Sequence, residues 1–108
     1  MKKDIKELLL GFKKLLHAEF GNQLSQVILF GSYANGKATE LSDIDIAVIL
    51  NYDADWQTKQ KIIDLAFEAE GDSGRLLNVI VFSRNEFENR SIDSLMLIEN
   101  ITEQGIPV

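Results

Sequence analysis

The segment Ser42-Asp43-Ile44-Asp45-Ile46-Ala47-Val48-Ile49-Leu50 constrains this chain most: two carboxylates spaced by one isoleucine, then an unbroken apolar run. Almost wholly apolar apart from those two carboxylates, it reads as a buried strand. Strand side chains alternate, so Asp43 and Asp45 are expected on one face, about 7 Å apart, with Ile44 and Ile46 on the other. Two carboxylates on an otherwise aliphatic strand repel each other and resist burial, and a cation relieves both costs. Their hard oxygens suit one or two Mg2+ ions shared with the phosphates of a nucleotide.

Upstream, the apolar strand Gln26-Val27-Ile28-Leu29-Phe30 runs straight into Gly31-Ser32. Gly31 removes the Cβ that would keep a ligand from the backbone, and Ser32 is expected at or near the N-cap of a short helical turn through Tyr33 to Gly36. The N–H groups at a helix start lack intrahelical partners and favour an anion such as a polyphosphate. The loop Lys37 to Leu41 follows, with Lys37 within reach of such a ligand. Singly, a Gly-Ser pair is a turn and Asp-x-Asp a solvated strand edge. Their joint order places a phosphate cradle beside a metal clamp and points to nucleotidyl transfer.

Gly31, Ser32, Ala34, Gly36, Ser42, Asp43 and Asp45 stand where the DNA polymerase beta superfamily of nucleotidyltransferases has G-S-x-A-x-G followed by S-D-x-D. The chain is most similar to the minimal nucleotidyltransferases of that superfamily. The resemblance implies that Gly31 and Ser32 hold the β and γ phosphates of ATP, with Ser42 and Lys37 among the nucleotide-binding residues. It implies that Asp43 and Asp45 bind Mg2+ and the triphosphate. A third carboxylate on a later strand normally completes the site and helps deprotonate the acceptor. The candidate strand here is Arg75 to Ser83, whose polar interruption is Asn78. An amide can ligate a cation but is neither charged nor a base. Asn78 in the third catalytic position, Asn78 as a partner for a backbone group, and Asp72 or Glu86 approaching from a loop are all open readings. Tyr33 stands where related antitoxins often have Arg, which leaves phosphate neutralisation to Lys37 or Arg75.

The same resemblance implies transfer of AMP from ATP to a hydroxyl on a partner protein, the partner being a HEPN-domain toxin whose tyrosine is adenylylated. Homo-oligomerisation is the other partner expectation. The alternative is a nucleotide-binding module, weak or inactive in catalysis, that neutralises a partner by contact. A third function class is transfer to a small molecule such as an aminoglycoside, which normally needs a second substrate domain unless the chain dimerises.

At 108 residues the chain is expected to be one domain, residues 1–108, with a single core. No apolar run approaches the roughly 20 residues that cross a bilayer, and the charged start does not read as a signal peptide, so a cytoplasmic protein is expected. Absence of cysteine excludes disulfides and thiolate chemistry, and the lone His17 cannot form a histidine cluster. A net charge of −6 argues against a general nucleic-acid binder and suits a metal-held nucleotide or a basic partner.

Three- and four-residue spacing of Ile5, Leu8, Leu9, Phe12, Leu15, Leu16 and Phe20 predicts a helix from about Lys3 to Phe20, with His17 on its surface. A second helix is expected over Trp56 to Glu70. Trp56 either stacks on an adenine, contacts a partner or anchors the helix start. After the turn Gly71 to Gly74 and the third strand, a helix is expected from Glu86 with Ile92, Leu95, Met96, Ile98 and Ile101 as its stripe. Ile98 to Val108 resembles the closing helix and short strand of minimal nucleotidyltransferases. The fold class is α/β: a small mixed sheet of three to four strands with helices packed on it.

Overall fold

Ile5, Leu8, Leu9, Phe12 and Leu16 are all buried along one stripe of α1 (Lys3–Phe20), as the spacing requires. The computed structural model describes residues 3–39, 41–89, 91 and 94–108. A 3-10 turn at Gly21–Gln23 leads into β1 (Leu24–Phe30). The short α2 (Ser32–Asn35), β2 (Ile44–Leu50), α3 (Trp56–Glu70) and β3 (Leu77–Ser83) follow. The chain ends with α4 (Arg84–Glu88), α5 (Leu95–Gln104) and β4 (Ile106–Pro107).

Among the described residues the strands form one four-stranded sheet in the order β3-β2-β1-β4. β1 is antiparallel to β2 and β4, while β2 and β3 are parallel, joined by the crossover helix α3. A parallel pair needs such a crossover, and this 15-residue amphipathic helix, buried through Ile62, Leu65 and Ala66, supplies it. The mixed α/β architecture expected from the sequence is the one found.

Burial explains why β2 is apolar nearly throughout. Ile44, Ile46, Val48 and Leu50 pack with α1 and α3 on one face. Ala47 and Ile49 pack on the other face with Ile28, Phe30, Phe82 and the α5 residues Ile98 and Ile101. A strand covered on both sides has no solvent face to populate with polar residues.

Several boundaries differ from the sequence expectation. β1 begins two residues before Gln26, with Leu24 paired to Leu50 and an irregularity before Gln26 that leaves Ser25 as an extra residue. β2 starts at Ile44, not Ser42, because Ser42 is folded into a turn with Thr39. β3 starts at Leu77, not Arg75, whose N–H bonds the Ser73 hydroxyl and keeps the residue in the preceding turn.

The helix expected from Glu86 is two helices. Ser83 and Glu86 form a reciprocal capping box that starts α4 at Arg84, and α4 ends at Glu88 with Asn89 as its C-cap. α5 begins after Ser94, where the Ser91 and Ser94 hydroxyls lie 2.8 Å apart. Ile92 lies outside the described residues. Met96 is exposed, so the α5 stripe rests on Ile98 and Ile101.

Candidate active site

The Gly-Ser turn and the strand carboxylates are distant in sequence, and the β1–β2 pairing brings them together. Phe30, the last residue of β1, lies opposite Asp45. Gly31 therefore emerges beside that carboxylate, with φ 71° and ψ −150°. A Cβ built on Gly31 would come 2.2 Å from Asp45 Oδ2 and 3.0 Å from its Cγ. Only glycine satisfies both the backbone conformation and the closeness of the acid.

α2 begins immediately after this contact. Gly31 occupies the N-cap, with no side-chain cap, and Ser32 is the first helical residue beside it. The Gly31 carbonyl accepts from the N–H groups of Ala34 and Asn35, both at 3.1 Å. The N–H groups of Ser32 and Tyr33 are those a helix start leaves without intrahelical acceptors. Gly36 closes the turn in the left-handed region at φ 78°.

Asp45 is half-buried, and by strand alternation it shares the face of Ala47 and Ile49, opposite Ile44 and Ile46, as expected. Asp43 is exposed and lies one residue before β2. Ladder pairing nonetheless extends to its neighbour, since the Ile44 N–H donates to the Leu76 carbonyl at 2.9 Å.

Asn78 is the residue of β3 aligned with Asp45. Its Nδ2 donates to Asp45 Oδ1 at 2.9 Å. This places Asn78 beside the carboxylate, a position the sequence left open. Glu86 is excluded from the site: Ser83 pairs with Leu50 at the far end of β2, and Glu86 Oε1 accepts from the Ser83 N–H at 2.9 Å. Asp72 sits exposed in the turn between α3 and β3. Among the described residues no three acidic or histidine side chains gather into a metal-binding group.

The loop that joins the phosphate turn to the carboxylates has an organiser that sequence reading missed. Thr39 N–H donates to Ser42 Oγ at 2.9 Å, its Oγ1 accepts from the Leu41 N–H at 3.3 Å, and its carbonyl accepts from the Tyr33 hydroxyl at 3.3 Å. Threonine spaced three residues from serine in a polar loop is the available signal, a side-chain-closed turn. Ser42 thus braces the loop. Arg75 Nη1 donates to the Tyr33 hydroxyl at 3.3 Å, and Nη2 lies 3.5 Å from Asp4. Those contacts tie α1 to α2 through Arg75, while Lys37 is exposed on the loop.

Trp56 behaves as neither an adenine platform nor a buried anchor. It is 73% exposed and begins α3 beyond the Leu50 end of β2, opposite the Asp45 end. His17 is exposed on α1, as expected.

A profile of the nucleotidyltransferase domain matches residues 5–108 of this chain. The chain belongs to the nucleotidyltransferase family. This nucleotidyltransferase is 36% identical over 94 residues, spanning 87% of each chain, to a protein of Methanocaldococcus jannaschii provisionally named a protein adenylyltransferase. Its fold superposes with TM-score 0.61 and 23% identity on a toxin–antitoxin complex crystallised with AMP-PNP, covering 89% of this chain and 68% of the other. It superposes with TM-score 0.55 and 20% identity on the complex of tri-AMPylated Shewanella oneidensis HEPN toxin with MNT antitoxin, covering 93% and 70%. Likenesses at that identity establish the nucleotidyltransferase fold.

The donor set of this nucleotidyltransferase fits a hard divalent cation. Asp43 and Asp45 offer carboxylate oxygens, and the absence of a Gly31 side chain lets Asp45 Oδ2 lie directly against the turn. No helix among the described residues is long and apolar enough to cross a membrane.

Proposed function

We propose that this minimal nucleotidyltransferase, acting as a single domain, transfers AMP from ATP to a hydroxyl of a partner protein of the HEPN-toxin kind. The observation that carries the reading is the contact of the Asp45 carboxylate with the backbone of Gly31. A phosphate-binding turn and a metal-binding acid have their uses at the same point in space.

Gly31 admits the triphosphate to the backbone, where the Ser32 and Tyr33 N–H groups and the Ser32 hydroxyl are donors for its β and γ oxygens. Lys37 adds positive charge from the loop. Asp43 and Asp45 would hold Mg2+, which when bound neutralises the triphosphate and favours departure of pyrophosphate. The residues on the loop and strand hold the α-phosphate for in-line attack, a positioning effect that accounts for much of phosphoryl-transfer catalysis. The acceptor hydroxyl gives its proton to solvent water as the new P–O bond forms, because position 78 offers an amide, which is not a base. The adenylyl specificity and the HEPN partner are supported by the fold shared with the AMPylated toxin complex and by the M. jannaschii relative.

The test is calorimetric titration with ATP, with and without Mg2+, of the wild type and Asp43→Ala/Asp45→Ala, followed by transfer of labelled AMP to the candidate toxin. Metal-dependent binding lost in the double variant and label on the toxin are expected. Absence of both label and pyrophosphate with every acceptor tried defeats the reading. A second reading, neutralisation by contact alone, rests on the amide at Asn78. It predicts that the toxin is silenced equally by wild type and by Asp43→Ala/Asp45→Ala.

A further inference from the structure

Asn78 stands where the site would take a third acid, and its geometry gives it a different task. Parallel pairing sets it against Asp45, and its Nδ2 donates to Asp45 Oδ1 at 2.9 Å. The other oxygen, Oδ2, lies against Gly31, within 2.2 Å of where a Cβ would stand. The carboxylate is thus held between a donor from β3 and the backbone of the phosphate turn, with its two oxygens assigned to different neighbours.

The charge balance has a consequence. An N–H donor presents partial positive charge on the β3 flank of Asp45, and a neutral amide adds no negative charge there. Two carboxylates balance one divalent cation. A second cation bridging β2 and β3 would meet the amide hydrogens and lack an anionic ligand on that flank. On the other flank Oδ2 lies against the Gly31 backbone, beside the turn proposed to hold the triphosphate.

We propose that Asn78 is a positioning residue that fixes the Asp45 carboxylate and restricts the centre to a single divalent cation, the one bound with the triphosphate. The inference rests on the nucleotide-binding reading above and adds the metal count and the residue that sets it.

The experiment uses the full chain, Mn2+ as the metal and a non-hydrolysable ATP analogue. Free Mn2+ is counted by electron paramagnetic resonance, analogue binding is followed by calorimetry, and thermal melting checks each variant. Wild type is expected to saturate at one Mn2+ per bound analogue. Asn78→Asp is expected to saturate at two. Asn78→Ala is expected to keep one, bound about ten-fold more weakly, the loss typical when an outer partner of a metal ligand is removed. Because Asn78 is exposed, unchanged melting is expected and separates this loss from a general loss of structure. Two Mn2+ per analogue in the wild type overturns the proposal, as does Asn78→Asp saturating at one or Asn78→Ala binding Mn2+ as tightly as wild type. Analogue bound with two Mn2+ leaves the nucleotide reading standing, whereas no analogue binding by the wild type removes both.

Discussion

At the Leu50 end of β2 acidic side chains serve their own helices: Glu86 closes the capping box of α4 with Ser83, and Asp55 accepts from the Thr58 N–H at 2.8 Å to cap α3. At the Ile44 end Asp45 caps nothing; it is held by a side chain from the next strand and leans on a glycine that has no room for a Cβ. Carboxylates at the first end complete backbone donors that folding would otherwise leave open. The carboxylate at the second end is oriented without being used up, which is what a ligand site requires.

The sharpest way to break this contrast is Asp45→Ala. Adenylyl transfer is expected to fall by at least about 100-fold, roughly 2.7 kcal/mol of transition-state stabilisation. Chemical denaturation should move by about 1 kcal/mol at most, the net worth of the hydrogen bond from Asn78. A large stability loss with activity retained would assign Asp45 to the fold.

Gly31→Ala should damage both properties. The substituted residue would have to adopt φ 71° and displace the Asp45 carboxylate, a strain of about 1–3 kcal/mol. Urea denaturation would show this, and ATP titration should show weakened binding. Wild-type affinity in this variant would mean that the contact with Asp45 is incidental.

At the opposite end, Ser83→Ala removes a buried cap hydroxyl and should cost about 1 kcal/mol of stability. Nucleotide affinity should not change. Coupling between this cap and ATP binding would show that the two ends of β2 are not independent.

The smallest effect is at Asp55, whose carboxyl is held below its usual range first by the side-chain hydrogen bond to Thr58. A carboxylate with a lowered folded value stabilises the protein above its unfolded value, about pH 4, and this stabilisation fades as pH falls through the lower folded value. Asp55→Ala should therefore melt slightly earlier than wild type at neutral pH. The two should converge in acid, and a pH-independent difference would assign the effect to packing.

Most of the elements could be read along the chain because their signals are local. The α1 stripe from Ile5 to Leu16, the uninterrupted β2 run and the Gly-Ser turn each depend on near neighbours. The split between α4 and α5 was missed because the Leu95–Ile101 spacing continues the apparent period across a segment where the Ser83–Glu86 box and the Ser91–Ser94 contact set separate helix starts. The loop brace at Thr39 and the Arg75–Tyr33 bond were missed for a related reason: polar loop residues carry no periodicity that fixes their partners.

By itself the sequence determined that a Gly-Ser turn and an Asp-x-Asp strand exist and in what order, since glycine at a turn and carboxylates within an apolar run have few physical uses. The tertiary structure decided which groups meet. The β1–β2 register set Asp45 against Gly31, the parallel β2–β3 register set Asn78 against Asp45, and the same register sent Glu86 to the far end of the sheet. A strand displaced by one residue would present its other face, so these meetings follow from sheet pairing among distant segments and from no local property of the chain.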